Sequence, residues 1–451
     1  LISQNVTKDN GIKTNISAGG VGTVTLNEEI YNHVSLYPEI SFGKLHIGLD
    51  LYIYFNNDGI YSKNWDFTSP VSSYRTIIDK IYFLKWGEKG DDFYFRAGSL
   101  ESITLGHGAL VDRYSNAIEY PQIKKLGLNL IYGINKIKFQ YIQSNFKKIP
   151  ALIGLQTTYS LSPRSNIFVS FAHDMNQLTR LDELFTNLNQ DDFIEACVIV
   201  AKFEDVCSLD EDVEKCLAEY CNNIYDANQN ESPYDNDVDE VSGFSIGANH
   251  VLSQEFILYT EWSKLLGKMG SENLGHGLIL PGLSYSFKNG NINMELRQVL
   301  AENFLFGYWD RSYDIERAIQ VPNEDQDLDD DYYTKKEKLY NYGTMGGLYA
   351  FISYDILKIM NFGFGYQNMK GEIWELEDPG LPEDIVENPG SYVENYNRSF
   401  RASLNLKPNL IPKINKVEYF YQRNNDLNLD IQNLFKENEY GNFGYESIHA
   451  V

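Results

Sequence analysis

Long apolar runs are missing from this chain of 451 residues. No stretch of about 18 consecutive apolar residues occurs, which excludes ordinary transmembrane helices. The mean hydropathy of −0.37 points the same way. Basic charge is scarce: 38 Lys and Arg stand against 63 Asp and Glu, a net charge of −25. A chain without basic patches is a poor partner for nucleic acid. With only seven histidines and no nucleophile elbow, phosphate loop or two-His metal pattern, nothing nominates an enzyme. No linker-like change of composition divides the chain, so residues 1–451 read as one domain. It opens at Leu1-Ile2-Ser3-Gln4 without an initiator Met or an apolar leader core. That predicts a mature form from which an export signal has been removed.

What the chain does have is a rhythm of connections, short then long from end to end. Tight links fall at Gly43-Lys44, Gly87–Asp91, Gly133–Asn135, Ser162–Arg164, Leu252-Ser253, Lys288–Gly290, Tyr354–Leu357 and Lys407–Pro412. Between them lie longer, mostly polar segments: 57–74, 101–124, 176–241, 265–275, 303–342, 371–396 and 424–439. The stretches they join alternate in polarity. At 45–55, Leu45, Ile47, Leu49, Leu51, Ile53 and Phe55 form one face, while His46, Asp50, Tyr52 and Tyr54 fall on the other. The same period of two recurs at 92–97, 291–298, 397–406 and 415–422.

A soluble sheet has no reason to gather its short turns on one side; a barrel threaded through a membrane does. Sixteen strands pair as hairpins: 34–42/45–56, 75–86/92–100, 125–132/136–145, 151–161/165–175, 242–251/254–264, 276–287/291–302, 343–353/358–370 and 397–406/413–423. Two more, near 15–27 and 440–451, make about eighteen. The expected fold is therefore all-β, a transmembrane antiparallel up-and-down barrel with both termini periplasmic and long loops extracellular. Apolar faces then meet lipid, and His46, Asp50, Arg96, Glu295, Arg297, Arg401 and Glu418 line a wet interior. Pro38 resists its strand and predicts a bulge. The 33 Tyr and 25 Phe suit aromatic girdles at two interfaces.

Through strands such as Leu45–Phe55, the turn Lys288-Asn289-Gly290-Asn291 and the polar outer loops, the chain resembles the porin-like outer-membrane barrels of Gram-negative bacteria. The likeness is architectural, runs over nearly the whole length and carries over no functional residue. It implies the bacterial outer membrane as location, outer-membrane lipid as surroundings, and the homotrimers common in that class.

Charge is segregated. Segment 181–240 holds 18 acidic and 2 basic residues, segment 310–338 holds 10 and 5, and segment 371–395 holds 8 and none. The remainder is close to neutral. Acidic outer loops would concentrate cations at the mouth of a channel. Segment 176–241 is an insertion of its own. Residues 187–224 read as a helical hairpin, with Ser208-Leu209-Asp210-Glu211 as a capping box. Cys197, Cys207, Cys216 and Cys221 would staple it by disulfides; four cysteines allow three connectivities. Asp226, Asn228, Asn230 and Asp237, with Asp235 nearby, echo the oxygen spacing of a calcium loop, though Glu231 stands where the turn glycine belongs.

A bore of about eighteen strands is too wide for its side chains to fill, so something must narrow it. Segment 101–124 is the candidate, with His107, Asp112 and Arg113 setting the charge pattern and Gly106 and Gly108 shaping the turn. The expected function is passive diffusion of small hydrophilic solutes, favouring cations. The alternative is a surface scaffold whose loop 176–241 binds a partner protein or an extracellular layer.

Overall fold

A computed structural model describes residues 6–8, 12–26, 29–57, 59–61, 65–120, 123–181, 238–321, 331–357, 359–376, 390–406, 417–426 and 446–450. Strand occurs at or within each of the predicted positions. The series opens with Ile12–Leu26, Glu29–Phe42 and the pair Leu45–Leu49 and Leu51–Asn56. It continues through Ile81–Trp86, Phe93–Gly98, Gly127–Ile134, Ile137–Gln143, Ile153–Ser162 and Ser165–Asp174. Beyond residue 238 come Val241–Val251, Phe256–Leu266, His276–Phe287 and Gly290–Ala301. Tyr342–Ile356, Met360–Leu376, Gly390–Leu406, Val417–Asp426 and Glu446–Ala450 complete it. Each pairs antiparallel with its neighbours in chain order, and with the short Val6–Lys8 and Gly59–Ile60 the main sheet has 21 segments. Among the described residues no pairing joins the first strands to Glu446–Ala450.

Two local departures have clear causes. The expected strand 75–86 begins only at Ile81, because Pro70–Asp79 is a helix. Ser69 caps it, accepting the Ser72 N–H at 3.1 Å, and Pro70 occupies the first turn, where its missing N–H costs nothing. Pro38 stays in its strand opposite Ile16, one pair from a register shift between Ser17 and Gly19. On its other flank the neighbouring strand is interrupted at Asp50, whose N–H turns to the Lys80 carbonyl at 2.8 Å. The gap falls where Pro38 has no donor to offer.

Polarity across the sheet is inverted relative to a water-soluble protein. In Ser165–Asp174, Ile167, Val169 and Phe171 are exposed, Val169 at 51%, whereas Ser170 and Asp174 are buried. In Phe256–Leu266 the exposed residues include Phe256 and Leu258, and the buried ones include Glu261 and Ser263, both at 0%. In Gly290–Ala301, Met294, Leu296 and Leu300 face out while Glu295 and Arg297 face in. Burying charge and exposing aliphatics is stable only where the outer medium is apolar. At the short-turn end, Phe256, Tyr285, Phe287 and Tyr354 form a run of stacked rings 4.5, 5.9 and 6.0 Å apart. That is where an interfacial girdle belongs.

The sheet is curled. Asp310 accepts from Gln422 at 2.6 Å, and three residues on Tyr313 donates to Asp174 at 2.8 Å. The strands carrying Asp174 and Gln422 are eight steps apart, roughly 38 Å in a flat sheet at about 4.8 Å per step. Three residues of chain span at most about 11 Å, so the wall must bend around the segment that touches both sides.

Candidate constriction site

Two inward segments fill the curl. The first, 99–125, follows Phe93–Gly98. Gly106 and Gly108 turn it at φ of 60° and 92°, values that side chains with a Cβ rarely adopt. The wall then fastens its backbone. The Gln156 side chain accepts the Gly106 N–H at 2.6 Å, and the Glu261 carboxylate accepts the His107 N–H at 2.7 Å. Asn116 accepts from Leu100 N–H and donates to Ser144 O, each at 2.7 Å. The second segment, 302–317, was expected to be part of an outer loop (303–342). Instead it enters the curl and pairs with the first through a parallel bridge between Val111 and Trp309. The Asp112 N–H donates to Trp309 O at 3.0 Å, and the Trp309 N–H to Leu110 O at 2.9 Å.

Against the expectation of a wet interior, part of it is a packed apolar core. Leu105, Leu110, Tyr114, Phe304, Tyr308, Trp309 and Tyr313 are buried in a continuous core between the inward segments and the wall. Inward-facing glycines make room for it. A Cβ on Gly154 would lie 3.0 Å from Leu105, and one on Gly243 would lie 3.1 Å from Leu110 and 3.2 Å from Trp309.

Ion pairs anchor the base. Asp314, fully buried, accepts from Tyr114 Oη at 2.6 Å and Lys125 Nζ at 2.7 Å. Burial alone would raise its carboxyl, but Lys125 and Arg317 overcome this and hold it below its ordinary value. Burial, and then the Asp314 charge, pushes the Tyr114 hydroxyl well above its ordinary value. Tyr120 and Lys124 both bind Asp50, the latter at 2.6 Å.

A mixed-charge cluster occupies the opposite side. Asp112 lies between Arg113 and Arg401, paired with both. Burial would raise its carboxyl, yet the two guanidinium groups hold it well below the usual carboxylate range. Arg113 adopts φ of 55°, a left-handed conformation that concentrates at functional positions. Its guanidinium lies 4.2 Å from the Phe351 ring centroid and donates to Tyr349 Oη at 3.1 Å. Arg297 pairs with Glu295 at 2.6 Å, donates to Gln367 at 2.7 Å and lies 3.9 Å from the Tyr349 centroid. Lys335 reaches Asp310 at 3.3 Å and Glu316 at 3.1 Å; though buried, it is held above its ordinary pKa by these carboxylates. Arg297, Arg401, Lys335, Asp310, Gln367 and Asn424 line a narrow cleft of about 10 Å³, room for roughly one water.

Asp112, Arg113, Glu295, Arg297 and Arg401 thus come together. His107 does not join them: its ring stacks on Tyr259 at 4.0 Å and meets Phe168 edge-on at 5.4 Å. Asp50 serves the anchor at the base. His46 is half-buried against Ser41 and Glu39. Arg96 covers Phe83 at 4.3 Å and donates to Ser99 O. Glu418 pairs in register with Asn405, and its side chain lies outside the described residues. So do Cys197, Cys207, Cys216 and Cys221, the calcium candidates Asp226, Asn228, Asn230, Asp235 and Asp237, and the capping box at Ser208. Sequence reading missed Asp310, Lys335, Tyr349 and Gln367. A signal was present: Phe304-Leu305-Phe306-Gly307-Tyr308-Trp309 is too apolar for a solvated loop.

The chain is thus a large antiparallel sheet, apolar outside, curled around inward segments that carry a charged cleft. No family model and no curated protein matches the chain. Among solved structures it is similar to Pseudomonas aeruginosa OpdL, at 9% identity and TM-score 0.35, over 91% of this chain and 92% of that one. It is also similar to P. aeruginosa OpdO (8% identity, TM-score 0.39, 91% and 90% covered) and Acinetobacter baumannii OccAB4 (10% identity, TM-score 0.32, 91% and 93% covered). At such identities and scores the function rests on this chain's own geometry.

Proposed function

We propose that the chain is a bacterial outer-membrane channel for passive diffusion of small hydrophilic solutes. The observation that carries this reading is the inverted polarity of the curled wall: exposed Val169, Ile246 and Met294 outside, buried Glu261, Glu295 and Arg297 inside. Closure between the first and last strands would complete a barrel of eighteen wall strands, counting 45–49 and 51–56 as one and the shortest segments as extensions. Both termini and the short turns then face the periplasm. The protein needs no catalytic constellation for this role. The solute path passes beside Arg297 and Arg401, whose paired charges of both signs line the narrow cleft of about 10 Å³ between the inward segments and the wall. Acidic outer segments favour cations and neutral solutes at the mouth, and the guanidinium-rich cleft acts as a second filter. Asp310 and Asp314 are buried against basic partners, so the acidic field comes chiefly from segments 181–240 and 371–395 and from the run 324–331, which holds six acidic residues and no basic one.

Reconstitution into planar bilayers tests the channel. Discrete, salt-dependent conductance steps are expected, with a reversal potential in a salt gradient displaced toward the cation. A correctly inserted but electrically silent protein overturns the reading.

A further inference from the structure

We propose that the outward wall bears a binding site for the phosphate of a lipid headgroup in the outer leaflet, formed by Lys264, Trp262 and His276. This inference rests on the membrane reading above. Within Phe256–Leu266, Tyr259, Glu261, Ser263 and Leu265 are buried inward, so Trp262 and Lys264 project outward. In register, Lys264 lies beside Phe244 on one neighbouring strand and His276 on the other. Trp262 packs against both rings, with centroids 5.4 Å from Phe244 and 5.7 Å from His276. Lys264 thus stands in register between two ring-bearing residues that both pack on Trp262.

None of these three side chains has an ion pair or hydrogen bond among the described residues. Lys136, Arg164, Lys268 and Lys288 are likewise without such a partner among the described residues, but they lie in turns or a short loop hairpin; inward cations of the curl are matched, Arg297 by Glu295, Arg401 by Asp112 and Lys125 by Asp314. Lys370, another outward lysine, has Glu394. In a chain of net charge −25, a lysine left without a carboxylate beside two further N–H donors points to an anion from outside the chain.

Height along the strand identifies its source. Lys264 lies eight residues beyond Phe256, which belongs to the aromatic run at the short-turn end. At about 3.4 Å per residue and a tilt of about 40°, it sits roughly 21 Å above that run. The apolar band of such barrels is about 25 Å tall. The ammonium therefore reaches the far headgroup layer, where cations and Trp are anchored and where a charge-assisted bond to phosphate is strong. A phosphate monoester can accept from the ammonium, the indole N–H and the imidazole together.

The test is native mass spectrometry of the full chain in detergent, incubated with phosphatidic acid or with phosphatidylcholine. Phosphatidic acid should be retained about tenfold better, as one charge-assisted hydrogen bond allows. Lys264→Gln should reduce retention to the phosphatidylcholine level, while Lys370→Gln should not change it. Equal retention of the two lipids, unchanged retention in Lys264→Gln, or full displacement by inorganic phosphate at matched concentration overturns the site. Insertion into phosphatidylcholine vesicles separates the two readings. A chain that inserts but shows no lipid preference loses only this site, whereas one that stays soluble without detergent and takes up neither lipid loses the membrane reading as well.

Discussion

At the scale of single residues, Asp112 and His107 show how neighbours in sequence come to serve different ends. Asp112 is the shared counter-ion of Arg113 and Arg401. Its carboxyl lies well below the usual range, so the stability it contributes is present above the ordinary carboxylate value and is lost only in strong acid. Asp112→Asn should leave two guanidinium groups facing the cleft. The expected outcome is a reversal potential displaced toward the anion at neutral pH, and an unchanged potential would show that the cleft is not the selective path. His107 behaves oppositely. Burial lowers its pKa from 6.5 to about 4, so the folded state prefers the neutral ring. The unfolded chain binds the proton first, and stability falls as pH drops from about 6.5 to about 4. Thermal unfolding in detergent should track this window, and His107→Phe, which keeps the stack on Tyr259, should flatten the fall. A variant that loses stability in parallel with the parent would assign the acid sensitivity elsewhere.

At the scale of elements, each inward segment is stable because the other is present. Neither is long enough to bury its own apolar side chains, but together they enclose Trp309, Tyr114 and Tyr308 against the inward glycines of the wall. Trp309→Ala removes a fully buried indole, and truncations of that size cost about 3–5 kcal/mol. Because the wall holds its own hydrogen-bonded ladders, that loss should fall on the inserted segments. Limited proteolysis should then cut within 99–125 or 302–317, and single-channel conductance should rise. Resistance equal to the parent would mean that the wall alone fixes the loops. The period-two pattern placed the wall strands well, since each residue's neighbours across the sheet impose the same alternation on it. It misread 75–80, where Ser69-Pro70 begins a helix; a capping signal outweighs a few alternating residues.

At the scale of the whole molecule, the outer surface is the determining feature. Ile246 is half-exposed in the middle of its strand. An arginine there should cost about 2–4 kcal/mol in a bilayer, whereas the same substitution in a soluble sheet would be tolerated. Urea titration of folding into vesicles measures the difference, and a cost near zero for Ile246→Arg would sink the membrane placement.

Most strands, the pairing of neighbours and the two faces of the sheet were legible in the chain, because alternation and turn chemistry act over a few residues. What fills the curl was not legible there. The meeting of Asp112 with Arg401, 289 residues away, and of Val111 with Trp309, depends on the wall bending until distant strands face one another. No local pattern encodes that geometry.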